Sequence, residues 1–239
     1  MLTVMQAPVS VRSTAARLGV ELSENQWALL ERYVDLLMQA NREINLISRK
    51  DEGNVWSGHI LHALSLLGVV NLPSGLRVLD LGTGGGLPGI PLAVARQDLT
   101  VTLVDSIQKK VRAVGKIVNQ LGLTNVRCEA GRAEEMKVPE GARYHIVVAR
   151  AVAPLVDLLR WSKGLLARTD RAIVGVRLPE GVREMSTPLL LAMKGGDLEE
   201  ELRRAGIRFP GIAPVVTRIA HLERPMSALD DKKVIVVPR

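Results

Sequence analysis

At 239 residues with 47% apolar side chains, the chain can bury a full hydrophobic core and fits one domain with an extension, or at most two small domains. Its longest apolar stretch, HILHALSLLGVV, falls short of the roughly 18 residues of a membrane span, and a lone cysteine, Cys128, excludes an internal disulfide framework or a cysteine-built zinc site. The formal charge of +7 is unevenly placed: residues 1–70 hold 6 Lys and Arg against 7 Asp and Glu, residues 71–150 hold 11 against 7, and residues 151–239 hold 15 against 11, which hints at a polyanionic partner.

In chain order, the first 20 residues contain Arg12 and Arg17 and no acid. They lack the apolar block of a secretory signal, so a plain helical or disordered N-terminus of a cytoplasmic protein is expected. Ser23 and Gln26 have capping-box spacing, and Leu22 with Trp27 has staple spacing. The helix they start runs through Leu30, Tyr33, Val34, Leu37 and Ile44 at intervals of three and four. A second helix is predicted over about Val55 to Val69, ended by Asn71, Pro73 and Gly75. Residues 1–70 thus read as a helical N-terminal extension, and residues 71–239 as the main domain.

From Leu76 the rhythm becomes strand and helix in turn. RVLDLG, TVTLVD, VRCEAG, YHIVVAR, LLLAM and KVIVVP read as strands. Pro88 to Ala95 reads as a helix opening inside a glycine loop. SIQKKVRAVGKIVNQLG reads as a second, with Ile107, Val111, Val114, Val118 and Leu121 on one face and Lys109, Arg112 and Lys116 on the other. DLEEELRRAG is a charged helix closed by Gly206, and Thr169 to Thr187, with Pro179, Gly181 and Pro188 in or beside it, reads as a long loop. Such βα repetition predicts an α/β, Rossmann-like, mostly parallel sheet with its N-terminal helical extension. Cys128 alternates with Val126 in strand fashion and reads as a structural thiol. Six aromatic residues without interleaving argue against base-stacking platforms, so phosphate contacts and shape would dominate any nucleic-acid binding.

The stretch VLDLGTGGGLPGIPLA satisfies two patterns at once. Gly84, Gly86 and Gly89 fit the dinucleotide fingerprint G-x-G-x-x-G. Gly82, Gly84 and Gly86 fit G-x-G-x-G, which resembles motif I of class I S-adenosylmethionine methyltransferases. The phase favours the second, because Gly82 immediately follows the strand Val78–Leu81. Asp80 at the strand end repels a pyrophosphate and suits the ammonium of S-adenosylmethionine, although it reads also as a buried carboxylate capping the loop. Asp105 ends the next strand, where a carboxylate accepts hydrogen bonds from ribose hydroxyls. Ala133 and Glu134 fall where such enzymes receive adenine.

VLDLGTGGGLPGIPLA, VTLVDSIQKK, GLTNVRCEAGRAEE and VVARAVAPL together resemble the RsmG (GidB) family of 16S rRNA guanine-N7 methyltransferases, as do REINLIS, HILHALSL and LAMKGGDLEEEL. The similarity spans about Leu22 to Ala205. It implies a class I fold, S-adenosylmethionine as cofactor, and methyl transfer to N7 of a guanosine in 16S rRNA, free or in the 30S subunit. It implies cofactor contacts at Asp80, Gly82, Gly84, Gly86, Leu87, Asp105, Ala133, Glu134 and Arg150, with Arg150 also the catalytic candidate. Substrate contacts are implied at Asn45, His59, Lys109 and Arg132.

N7 carries an in-plane lone pair and no proton, so the reaction needs alignment and no general base. Arg150 is expected to hold the guanine O6 edge or a phosphate, the alternative being an ion pair with Asp80 or a helix end. His59 alone would read as a packed helix residue, and Lys109 with Lys110 as a solvated face. His62 stands at i,i+3 from His59, but no carboxylate completes a metal site, so no metal is expected; nor is a membrane, and a monomer is. The chain departs from the family in having His62-Ala63 for the usual Asp-Ser and a longer segment at Thr169 to Thr187. The readings left standing beside this one are a methyltransferase acting on another RNA or a small molecule, a cofactor-retaining rRNA assembly factor, and an NAD-dependent oxidoreductase, which Asp80 and the glycine phase disfavour.

Overall fold

The computed structural model describes residues 5–169, 171–219 and 229–239. Two helices open the chain, α1 (Val9–Arg17) and α2 (Glu24–Asn41). The capping box is present at the start of α2: the Gln26 N–H donates to the Ser23 hydroxyl, and the Ser23 N–H donates to the Gln26 side chain. The helix stops at Asn41, short of Ile44, because the Asn41 side-chain oxygen accepts the backbone N–H groups of Leu46 and Ile47 and turns the chain. A 3₁₀ turn (Arg49–Asn54) then leads into a π-helical stretch (Val55–Leu61) continuous with α3 (His62–Val69). The expected second helix is therefore there, but its first half is wound more loosely.

The remaining elements are β1 (Val70–Asn71), β2 (Arg77–Leu81), α4 (Gly89–Ala95), β3 (Thr100–Asp105), α5 (Gln108–Leu121), β4 (Val126–Ala130), β5 (Ile146–Arg150), α6 (Leu155–Ser162), β6 (Ile173–Leu178), β7 (Gly181–Ser186), β8 (Leu189–Gly195), α7 (Glu199–Arg208), β9 (Val215–Arg218) and β10 (Lys232–Pro238). Seven strands form one sheet in the order β4-β3-β2-β5-β8-β10-β9. β4, β3, β2, β5 and β8 run parallel, while β10 is antiparallel to both β8 and β9. The inner strands are apolar on both faces, as a parallel sheet covered by helices requires. Strand order runs outward in both directions from the β2–β5 pair, so a topological switch point lies there.

The segment Thr169 to Thr187, read as a loop, is mostly a hairpin. β6 and β7 pair antiparallel, and β6 also pairs with β1, making a three-stranded sheet apart from the main one. Alternation wins over the turn signals there: Val174, Val176 and Leu178 are buried while Ile173 and Arg177 are exposed, and Pro179 sits outside both strands. α7 likewise runs past Gly206 to Arg208. Ile107 precedes α5 and is exposed, whereas Val111, Val114, Val118 and Leu121 are buried. No helix among the described residues is long and apolar enough to cross a membrane.

Candidate active site

The loop after β2 occupies one side of the switch point. Gly82, Gly84 and Gly86 take φ of 70°, 55° and 96°, a left-handed backbone that residues with a Cβ resist. Gly89 is required for another reason: an added Cβ would lie 2.2 Å from the Leu103 side chain and 2.7 Å from the Asp80 carboxylate. Leu87 is buried behind the loop, preceding Pro88 and α4.

Asp80 lies fully buried beneath this loop. Its Oδ2 accepts the Thr83 hydroxyl at 2.7 Å and the Gly89 N–H at 2.8 Å, the capping arrangement that its position allowed for. Its Oδ1 has no hydrogen-bond partner among the described residues. Burial pushes this carboxyl up to about 6 against the pull of those two donors and of the Arg150 charge. Asp105, at the end of β3, accepts the Gly84 N–H at 3.0 Å and the Ile107 N–H at 2.8 Å, one on each oxygen. Each oxygen keeps a further lone pair for a hydroxyl donor. Ala133 and Glu134 lie in a 3₁₀ turn after β4, the first buried and the second exposed.

These features fit an aminoacyl nucleoside. Three left-handed glycines leave a Cβ-free approach, the Asp105 carboxylate ends the neighbouring strand, and the orphaned Asp80 oxygen gives a cation an electrostatic anchor. A pyrophosphate has no such welcome beside two carboxylates.

Across the switch point, Arg150 ends β5. Its guanidinium donates to the His59 carbonyl at 3.3 Å and to the His59 Nδ1, so two candidates 91 positions apart meet. Arg150 pairs with neither Asp80 nor a helix end through a hydrogen bond. Burial lowers the Arg150 pKa and, with the Arg150 charge, drives His59 down to about 4. His59 is therefore neutral at pH 7, with Nδ1 facing the Arg150 donor; its Nε2 stands 3.9 Å from Asp51 Oδ2 and has no hydrogen-bond partner among the described residues. His62 is likewise buried and pushed down to about 3, and its Nε2 too lacks a partner among the described residues.

A cavity of about 490 Å³ opens here, lined by Asp51, Asn54, His59, His62, Arg150 and Lys232, with Lys194 at its edge. Strand register assembles it: Arg150 faces Met193 across β5–β8, and Gly195 faces Lys232 across β8–β10. Asn45, Lys109 and Arg132 stand exposed on the loops and helix around the glycine loop. They are not among the residues that line this cavity.

Reading the sequence missed Asn41, which shapes the Asn45 loop, and Tyr33, whose hydroxyl donates to the Gly85 carbonyl at 2.9 Å. It also missed Asp51, Lys194 and Lys232. Asn41 beside REINLIS was a usable signal for a turn; for Lys232 nothing local was. Cys128 is half-buried, its thiol pushed up to about 11 by burial, as befits an inert structural residue. Among the described residues no group of three His, Cys, Asp or Glu side chains could hold a metal ion.

A family model described as rRNA small subunit methyltransferase G, GidB, matches residues 26–175. A Phocaeicola vulgatus protein named ribosomal RNA small subunit methyltransferase G is 41% identical over 180 residues, 75% of this chain and 78% of that one. A Chlorobaculum tepidum protein of the same name is 37% identical over 209 residues, covering 87% of this chain and 82% of its own. Among solved structures, a mutant of MtNAS in complex with S-adenosylmethionine superposes with a TM-score of 0.52 at 16% identity, over 95% of this chain and 76% of that one. A predicted O-methyltransferase from Agrobacterium tumefaciens gives 0.50 at 16% identity, over 74% and 78%. At such identity these two likenesses speak to the fold alone.

Proposed function

The chain belongs to the GidB family of small-subunit rRNA methyltransferases, and from that membership we infer that it transfers the methyl group of S-adenosylmethionine to N7 of a guanosine in 16S rRNA. When bound, that cofactor supplies an electrophilic methyl group on a sulfonium whose charge passes to the base. Guanine N7 offers an in-plane lone pair and no proton, so the protein has only to align the two partners at about 3–3.5 Å and keep water out.

The chain's own groups suit that task. Gly82, Gly84 and Gly86 leave room for close backbone approach, and Leu87 closes the loop behind them. Asp105 would accept the ribose hydroxyls through its spare lone pairs, and Asp80 holds the loop while its other oxygen would favour a nearby ammonium. Ala133 and Glu134 would receive the adenine. The guanine enters the cavity beside Arg150, whose fork donates to O6 and leaves N7 turned to the switch point. His59 steadies Arg150 through its Nδ1 and carbonyl. Asn45, Lys109 and Arg132 at the mouth take up neighbouring rRNA groups. Where the family usually carries an acid, His62 is neutral, which leaves Arg150 with more of its charge for the substrate.

The single observation that carries the assignment of roles is the meeting of Arg150 and His59 at the switch point beside the glycine loop. We further take the working unit to be a cytoplasmic monomer that needs no metal, with residues 1–70 an extension of the 71–239 domain. The test is methylation of undermethylated 30S subunits and of naked 16S rRNA, with 7-methylguanosine mapped by primer extension after cleavage at the modified base. One site modified in either substrate is the expected result. Cofactor binding with no product on either would overturn it in favour of an assembly factor.

A further inference from the structure

The opposite end of the sheet carries a second concave site. Residues between α6 and β6, Pro188 before β8, the end of β10 and the turn after α7 enclose a pocket of about 640 Å³. Five of the described residues that line it are cationic, Lys163, Arg168, Arg171, Arg208 and Arg239, and none of the described lining residues is acidic. Four of the five are exposed. The fifth, Arg239, is built in: its guanidinium donates to the Leu159 carbonyl at 3.0 Å and lies 5.7 Å from the centre of the Phe209 ring. Burial lowers its pKa, the cost of keeping a cation against an apolar floor. Near by, Glu140 pairs with Arg143 at 2.6 Å and stands 3.9 Å from Arg168.

We propose that this pocket is a second rRNA contact, in which phosphates of a segment away from the target guanosine sit on Arg168, Arg171 and Arg208. The ligand class follows from the donors. Four of the five cations are arginines, whose planar forks match phosphate oxygens in pairs. The arginine-capped Phe209 ring offers a flat surface that suits a sugar or base edge better than an acidic side chain. β8 spans seven residues, which sets the pocket roughly 20 Å from the Arg150 end of the sheet. A contact so placed orients a large RNA without touching the reacting nucleotide. It also gives a use to the cationic excess in residues 151–239, where 15 Lys and Arg meet 11 Asp and Glu.

The inference rests on the rRNA reading above, and the experiment separates the two. The full chain carrying Arg168→Gln, Arg171→Gln and Arg208→Gln is compared with wild type and with a control of equal charge change, Arg32→Gln, Arg127→Gln and Arg183→Gln, all exposed and outside the pocket. Binding of undermethylated 16S rRNA is followed by anisotropy across a salt series, beside steady-state methylation and S-adenosylmethionine calorimetry. The pocket variant is expected to raise KM for rRNA about tenfold and to lower the log–log salt slope by about two. Its kcat and cofactor affinity should stay at wild-type values, and the control should move KM less than threefold. An unchanged KM and slope, or an equal change in the control, would overturn the second contact. Wild-type protein that methylates no rRNA would instead overturn the reading on which it rests.

Discussion

Arg150 is held by one residue from the N-terminal region and faces a cavity it shares with six other polar side chains. Its value lies in its placement: a guanidinium displaced by about 1 Å can cost on the order of 100-fold in rate. Arg150→Ala should therefore lower kcat by about 100-fold while weakening S-adenosylmethionine binding far less, a split that single-turnover kinetics and calorimetry measure separately. Near-wild-type turnover would refute its role. Asp80 allows a prediction on stability with a definite sign. Its folded pKa of about 6 lies above the ordinary carboxylate value of about 3.9. The native state thus binds this proton more tightly than the unfolded chain, so stability falls as pH rises from about 4 to 6, and a penalty of about 3 kcal/mol stands above that window. His59 and His62, pushed below their ordinary value, act in the other direction: their contribution is lost as pH falls below about 6.5. The wild-type profile blends these terms, so a variant must be compared with wild type at each pH. Asp80→Asn keeps an oxygen for Thr83 and Gly89. It should raise the cofactor-free melting point at pH 7.5, with the gain vanishing near pH 4. A lower melting point at pH 7.5 would overturn the inference that the buried Asp80 charge costs stability.

At the scale of elements, α2 links local sequence to the site. Ser23 and Gln26 fix its start, and Gln26 also donates to the Val94 and Ala95 carbonyls at the end of α4. From that start the register delivers the Tyr33 hydroxyl to the Gly85 carbonyl. Ser23→Ala removes a cap worth about 1 kcal/mol and should lower the melting point by a few degrees, with cofactor affinity unchanged. Calorimetric melting with and without cofactor measures both; a loss of affinity matching the loss of stability would show that the cap also sets the loop. What the sequence disclosed about elements follows from periodicity. β2, β3, β5, β8 and β10 were legible because strands buried on both faces are written as unbroken apolar runs. The capping box was legible because its two partners stand three residues apart. The β6–β7 hairpin was not, since Pro179 in the two-residue connection and Gly181 at the start of β7 outweighed the alternation of Val174, Val176 and Leu178. β9 and α6 gave no distinct signal. In the site, the glycine loop and Asp105 are local to their strands and were legible. Asp51 and Lys232 enter only through tertiary register, which no local pattern encodes.

In the whole molecule the N-terminal helices and the main sheet share an apolar interior. Helices α1, α2 and α3 do not stand beside the main sheet as a separate body: Leu18, Trp27, Leu30, Tyr33, Val34, Leu37, Leu61 and Leu64 belong to the same apolar cluster as Val78, Ile90, Val101, Ile146, Leu191 and Val236. Large apolar side chains buried to this degree contribute about 1.5 to 3 kcal/mol each. Eight of them outweigh or match the roughly 5 to 15 kcal/mol by which a domain is stable at all. Removing residues 1–70 would uncover the partners of all eight and take away His59, on which Arg150 is held. The full chain should therefore unfold in one calorimetric transition, with equal van't Hoff and calorimetric enthalpies. A fragment of residues 71–239 should show no cooperative melt and no S-adenosylmethionine binding. Two transitions in the full chain, or a fragment that melts cooperatively with the sheet signal of the parent, would mean that the first 70 residues dock on a domain already stable without them. The single-transition outcome carries a functional corollary. If the Arg150 end of the sheet forms only when the N-terminal helices are in place, then a substitution in α2 that weakens the core should lower cofactor affinity only in proportion to the fraction unfolded, and osmolyte-driven refolding should restore it.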